Sequence, residues 1–125
     1  MNKLKLFVLI LSSQFLNSQS IIGAWEKYET NSDGSTHRHV VIFSEGFKST
    51  SVFDSSNGKF ISTNGGSWFL DGSTLTEKIE FDTQDQEKVG STIKFDLDIK
   101  ENTVTNINSR KTWNRIDDGS PGQLN

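Results

Sequence analysis

Apolar and polar residues alternate along most of the chain after residue 20, which is the pattern of a strand with one buried and one solvated face. The clearest case is the segment 91–100, where four apolar residues share one face: Ile93, Phe95, Leu97 and Ile99. The segment 74–82 repeats this alternation. A period of two is the signature of β-structure, so we expect strands with one face toward a core.

Short polar turns, most of them containing glycine, separate these runs at regular intervals, and Asn-Gly and Asp-Gly pairs are strong hairpin signals. Reading between the turns predicts strands near residues 22–30, 37–44, 47–54, 59–63, 67–71, 74–82, 91–100, 103–108 and 111–116. Eight or nine consecutive strands joined by tight turns predict an all-β fold, an antiparallel up-and-down meander. Such a meander loses its exposed edges by closing into a barrel.

The first twenty residues differ from the rest of the chain. A short basic head precedes the apolar run 6–11, and small polar residues follow up to Ser20, which is the pattern of a secretory signal peptide. The apolar run is too short to span a membrane. We therefore predict a signal peptide over 1–20, one β-barrel domain over 21–116 and a polar tail over 117–125, in a protein that is secreted to the periplasm or the exterior.

Composition narrows the class of protein further. The chain has 13 Lys and Arg against 16 Asp and Glu, and it has no cysteine. An acidic chain without a basic stripe argues against nucleic acid as a partner. The absence of cysteine excludes disulfides and thiolate chemistry, so stability must come from packing.

The first predicted strand begins with Gly23-Ala24-Trp25, and Trp25 is expected to close one end of the core with its indole N–H bonded to an acceptor. With the meander and a late Arg115, this motif resembles the calycin superfamily, meaning lipocalins and small secreted bacterial lipocalin-like proteins of uncharacterised function. The resemblance implies a lipocalin-like barrel in which Trp25 packs near the floor under Arg115. The segments 65–68, 80–82 and 115–119 are also similar to those small secreted bacterial lipocalin-like proteins.

Glu77 is the main candidate for a ligand-binding residue. It lies in phase with Leu75 and Ile79 on an otherwise apolar face, and a carboxylate there needs a partner. Arg115 shares the parity of Trp113 and is a candidate for that partner, or for holding a ligand carboxylate. We predict a ligand site of Glu77, Arg115, Trp113 and Phe95; the alternatives are that Glu77 lies at a barrel rim or pairs for structural reasons only, and that the aromatic residues simply fill the core.

His37 and His39 project to one face with a spacing that metal ligands use. Glu45 follows at the wrong distance for a cupin motif, and the chain has only these two histidines, so a solvated or rim pair is the favoured interpretation. The chain contains no Gly-x-Ser-x-Gly elbow. We therefore predict no metal site, no cofactor and no enzymatic activity.

The expected function is to hold a small apolar or amphipathic molecule inside the barrel. The alternative is a non-catalytic structural or interaction module of the cell envelope, with a filled core and an exposed apolar patch. The sequence leaves open the ligand, the oligomeric state and any pairing of the tail.

Overall fold

The computed structural model describes residues 21–121. The predicted signal peptide and the last four residues of the predicted tail lie outside the described residues. The strands are β1 (Gly23–Thr30), β2 (Thr36–Ser44), β3 (Phe47–Asp54), β4 (Phe60–Asp71), β5 (Thr74–Lys78), β6 (Phe81–Asp82), β7 (Thr92–Ile99), β8 (Thr103–Asn106) and β9 (Lys111–Asp117).

Eight of these strands form a closed antiparallel barrel. Each strand except β6 pairs with its neighbours along the chain, β5 pairs with β7, and β9 returns to pair with β1. The pairing of β3 with β4 completes the ring, because it joins the two halves of the sheet. The predicted all-β, antiparallel, up-and-down barrel is confirmed, with β6 as an extra strand beside β4.

The predicted turn at 64–66 is wrong. The segments 59–63 and 67–71 form one continuous strand, β4, in which Gly65 lies opposite Ser49 of β3. A Cβ atom at Gly65 would lie 2.2 Å from the carbonyl oxygen of Lys48, so only glycine allows β3 to approach this closely. Gly65-Gly66 therefore marks a close approach of two strand backbones and does not form a turn.

The predicted strand 74–82 is divided. β5 ends at Lys78, and the chain then crosses so that β6 pairs with the middle of β4, where Gly65 lies opposite Phe81. The backbone N–H of Glu80 donates to the carbonyl of Gly65 at 2.8 Å. A 3-10 helix, Gln86–Lys88, follows in the connection to β7. Within residues 21–121, no helix has the length and hydropathy needed to cross a membrane.

Alternation along the strands decides which side chains face the barrel interior. Trp25 is 1% exposed, which fixes the inward parity of β1. Its register partners Val41 and Arg115 therefore share this inward face. Trp68 on β4 and Glu77 on β5 are register partners of each other and also face inward.

Buried apolar side chains from most of the barrel strands make one core cluster. Its members are Ile21, Trp25, Val41, Phe43, Trp68, Leu75, Leu97 and Val104. Ile21 precedes β1 and is fully buried, so the chain entering the barrel covers Trp25. This cluster fills the part of the interior around the start of β1, which we call the floor.

Candidate functional site

Trp25 and Arg115 form the floor contact that the resemblance implied. The Cζ atom of Arg115 lies 4.0 Å from the centroid of the Trp25 ring, and the indole Nε1 donates to the carbonyl of Ile21 at 2.9 Å. Arg115 also donates to the carbonyl oxygens of Glu101 and Ile22. These contacts tie the last strand to the segment that enters the first, so the observed contacts of Arg115 are those of a floor residue.

Glu77 is paired with Lys48, a partner that the sequence pattern did not predict. The Nζ of Lys48 lies 2.6 Å from Oε2 of Glu77, whose side chain is 2% exposed. The second carboxylate oxygen, Oε1, is buried and has no hydrogen-bond partner within residues 21–121. Lys48 lies opposite Phe43 in the β2–β3 register, which places its ammonium on the inward face.

A second group of charges lies on the same inward face. Lys27 and Glu29 are two and four residues after Trp25 and therefore share its side of β1. The Nζ of Lys27 lies 2.5 Å from Oε1 of Glu29, and the ammonium of Lys111 on β9 contacts the same oxygen. Nε2 of His39 lies 3.3 Å from Oε2. We call Lys27, Glu29, His39 and Lys111 the inner charged cluster.

Trp113 forms one wall of this cluster. The ammonium of Lys27 lies 4.8 Å from the centroid of the Trp113 ring, which is a cation–π contact. The His39 ring approaches Trp113 edge-on, with 6.1 Å between centroids and 81° between planes. One predicted ligand residue, Trp113, therefore touches the inner charged cluster.

Lys27, His39 and Lys111 share one carboxylate, that of Glu29, and this sharing, together with burial, shifts pKa values in the cluster. Hydrogen bonds from Lys111 and Lys27 lower the pKa of Glu29 to about 2, so it stays ionised at all but strongly acidic pH. Burial lowers the pKa of Lys27, against the opposing effect of Glu29. Burial and the nearby Lys27 also lower the pKa of His39, which favours the neutral imidazole at neutral pH.

Several inward-facing apolar side chains are only partly buried. Phe95 lies opposite Leu75 and Ile93 opposite Glu77 in the β5–β7 register, so both share the inward face of β7. Phe95, Ile93 and Trp113 nevertheless keep part of their surface accessible, whereas Leu97 on the same face of β7 is buried. The core is therefore closed around the floor, and Phe95 and Trp113 pack against it with part of their surface exposed. A ligand-binding role for Glu77, Arg115, Trp113 and Phe95 stays a prediction.

Both histidines are partly buried. His39 is half-buried inside the barrel beside Glu29, and His37 lies opposite Glu29 on β1 and Asp54 on β3. In the described part of the chain, no group of three or more His, Asp or Glu side chains is arranged to hold a metal ion.

A separate groove of about 580 Å³ lies against β7 and β8. It is lined by Ser73, Leu97, Asp98, Ile99, Thr105, Ile107 and Arg110. Asp98 and Thr105 occupy outward-facing positions, because they are register partners that alternate with Leu97 and Val104 in the core. Leu97 and Ile99 in the same lining share the inward parity of Phe95, so the groove is bounded by residues from both faces of β7, and none of the four predicted ligand residues lines it.

The fold and the inward-facing charges define a closed, eight-stranded antiparallel barrel with a partly polar interior. No protein-family profile matches the chain, and no curated protein or solved structure is significantly similar to it.

Proposed function

We propose that this chain is a secreted, lipocalin-like protein that holds a small apolar or amphipathic molecule inside its barrel. The single observation that carries the proposal is the partial exposure of the inward-facing Phe95, Ile93 and Trp113. A barrel whose interior is fully packed buries the side chains that point into it. Apolar surface left accessible on the inward side is what a small lipophilic molecule covers when it binds.

The floor supports this assignment by closing one end. Trp25 and Arg115 stack there, as the resemblance to lipocalins implies, and Trp25 is part of the core cluster that fills the floor. A ligand would therefore enter from the other end and lie against Phe95 and Trp113.

Polar groups beside this apolar lining would orient a ligand with a polar end. Lys48 and Glu77 form one such group, and Oε1 of Glu77 offers an acceptor to a ligand hydroxyl or amide. The inner charged cluster is the other group. The proposal assigns no catalytic step to any of these residues.

Native mass spectrometry of residues 21–125, the mature domain that the predicted signal-peptide cleavage would leave, tests the proposal on protein purified gently from its own host. We expect a stoichiometric mass increment that organic extraction releases as a small lipophilic compound. A clean apo mass, together with failure to bind any fluorescent fatty-acid analogue, would contradict it.

A structural or interaction module of the cell envelope is the second candidate. One observation favours it: several large apolar side chains are more than half exposed, namely Tyr28, Phe60 and Phe69 on strands and Ile107 in the turn after β8. This candidate predicts an apo mass and loss of partner capture when Phe69 is changed to Ser. The binding proposal predicts that Phe69→Ser leaves ligand uptake unchanged.

A further inference from the structure

We propose that the inner charged cluster binds the head group of the ligand, and that the ligand class is therefore the monoanionic amphiphile. This inference rests on the proposed function, since it names the kind of molecule that the barrel holds. It concerns Lys27, Glu29, His39 and Lys111, of which only His39 stood out in the sequence, through its metal-ligand spacing from His37.

The charge of the cluster points to an anion. Lys27 and Lys111 contribute two positive charges and share the single negative charge of Glu29. Burial of His39 favours its neutral form at neutral pH. One positive charge is therefore in excess, and it is shared between Lys27, which is 10% exposed, and Lys111, which is 53% exposed. An unbalanced charge that is partly removed from water is unfavourable, and a bound monoanion balances it.

Both lysines keep hydrogen-bond donors that such an anion can use. An ammonium group has three donors, and each lysine gives one of them to Glu29. Lys111 is 53% exposed, so its remaining donors are reachable from the solvent side of the cluster. The head group can thus contact Lys111 first and Lys27 deeper in the barrel.

Trp113, the apolar neighbour of the cluster, indicates that the bound anion also has an apolar part. Trp113 lies against Lys27 and His39 and keeps part of its ring accessible. A molecule whose anionic end meets the lysines would place its apolar chain along this ring. A cationic head group would instead meet the excess positive charge and be repelled. A dianion would bring more negative charge than the cluster has in excess, next to Glu29.

Two ten-carbon probes that differ only in the head group test the inference: decane-1-sulfonate and decan-1-ol. The sulfonate keeps its charge over the whole working pH range. Dissociation constants for both are measured on the mature domain by titration calorimetry or by competition with a fluorescent fatty-acid analogue. We expect the sulfonate to bind at least about ten-fold more tightly than the alcohol, as one charge-assisted contact supplies.

Lysine variants locate the head group. Lys111→Met should weaken sulfonate binding about ten-fold and leave alcohol binding unchanged, and Lys27→Met should act in the same direction. Lys94→Met is the matched control, because Lys94 lies on the outward, solvated face of β7, and it should change neither. Lys111 is half exposed, so its replacement should leave the barrel folded.

Salt gives a second measurement that needs no variant. Raising the ionic strength from about 0.05 M to about 0.5 M should weaken sulfonate binding and leave alcohol binding unchanged or slightly stronger. If the alcohol binds as tightly as the sulfonate, or if Lys111→Met weakens both equally, the anionic class is wrong while ligand binding stands. If neither probe binds, both this inference and the proposed function are overturned.

Discussion

The ion pair of Lys48 and Glu77 makes a sharp prediction about stability. Lys48→Met keeps the length of the side chain and removes its ammonium. Glu77, at 2% exposure, then has neither carboxylate oxygen paired, because Oε1 has no partner within residues 21–121 and Oε2 loses the contact at 2.6 Å. Breaking a buried pair on one side lowers the free energy of unfolding by about 3–5 kcal/mol.

For a domain of this size, such a loss lowers the melting temperature by more than about 12 °C. The assay is thermal and urea unfolding of the mature domain at neutral pH, followed by circular dichroism. Lys94→Met, on the outward face, should stay within about 0.5 kcal/mol of the original chain.

The double variant Lys48→Met/Glu77→Met completes the cycle. Replacing both partners by apolar side chains of similar length should restore the stability or raise it above that of the original chain. A loss below about 1 kcal/mol for Lys48→Met would show that the pair is not desolvated. A double variant as unstable as the sum of the two single variants would show that the partners do not interact.

Three further predictions concern the floor and the inner charged cluster. Gly23→Ala should destabilise the domain by at least about 2 kcal/mol, because Gly23 has a φ of +126° and a Cβ there would lie 2.1 Å from the carbonyl oxygen of Asp117. Arg115→Met should lower the free energy of unfolding by at least about 1 kcal/mol through loss of the stack on Trp25, measured by urea titration. Glu29→Gln should flatten the acid unfolding curve: the original chain loses about 1–2 kcal/mol as the pH falls from about 4.5 to about 2, since folding lowers the pKa of Glu29.

Each of these has a matched comparison. Gly72→Asn, at a turn glycine with open space around it, should be tolerated, and equal losses for Gly23→Ala and Gly72→Asn would contradict the close approach. Arg115→Lys keeps the cation and should recover part of the loss, which a purely steric role would not explain. Glu45→Gln, at an exposed turn between β2 and β3, should keep the acid transition of the original chain; a flattening as large as that of Glu29→Gln would contradict the assignment.

The strand pattern and the floor were predictable because their signals are local. Alternation along 91–100 predicted the inward face of β7, and the Gly23-Ala24-Trp25 motif with Arg115 predicted the observed stack. The inward charges on β1 carried a local signal too, since Lys27 and Glu29 keep the parity of Trp25.

Long-range pairing was the part that the sequence could not supply. The partner of Glu77 is 29 residues away, and it depends on the registers of β3 with β4 and of β4 with β5. The register between β3 and β4 depends in turn on Gly65. Its place inside a strand was not predicted, because Asn64-Gly65-Gly66 is typical of a turn.

The most direct test of the account is a nitrogen–proton NMR titration of the mature domain with decane-1-sulfonate, following the indole N–H signals of the three tryptophans. Trp25 and Trp68 are buried and donate their indole N–H groups to backbone carbonyls, while Trp113 faces inward and is partly exposed. Substitution of each by Phe assigns its signal. We expect a saturable shift of the Trp113 signal, with much smaller changes at Trp25 and Trp68. An unshifted Trp113 signal with the probe bound elsewhere, or no saturable change in any signal, would contradict binding inside the barrel.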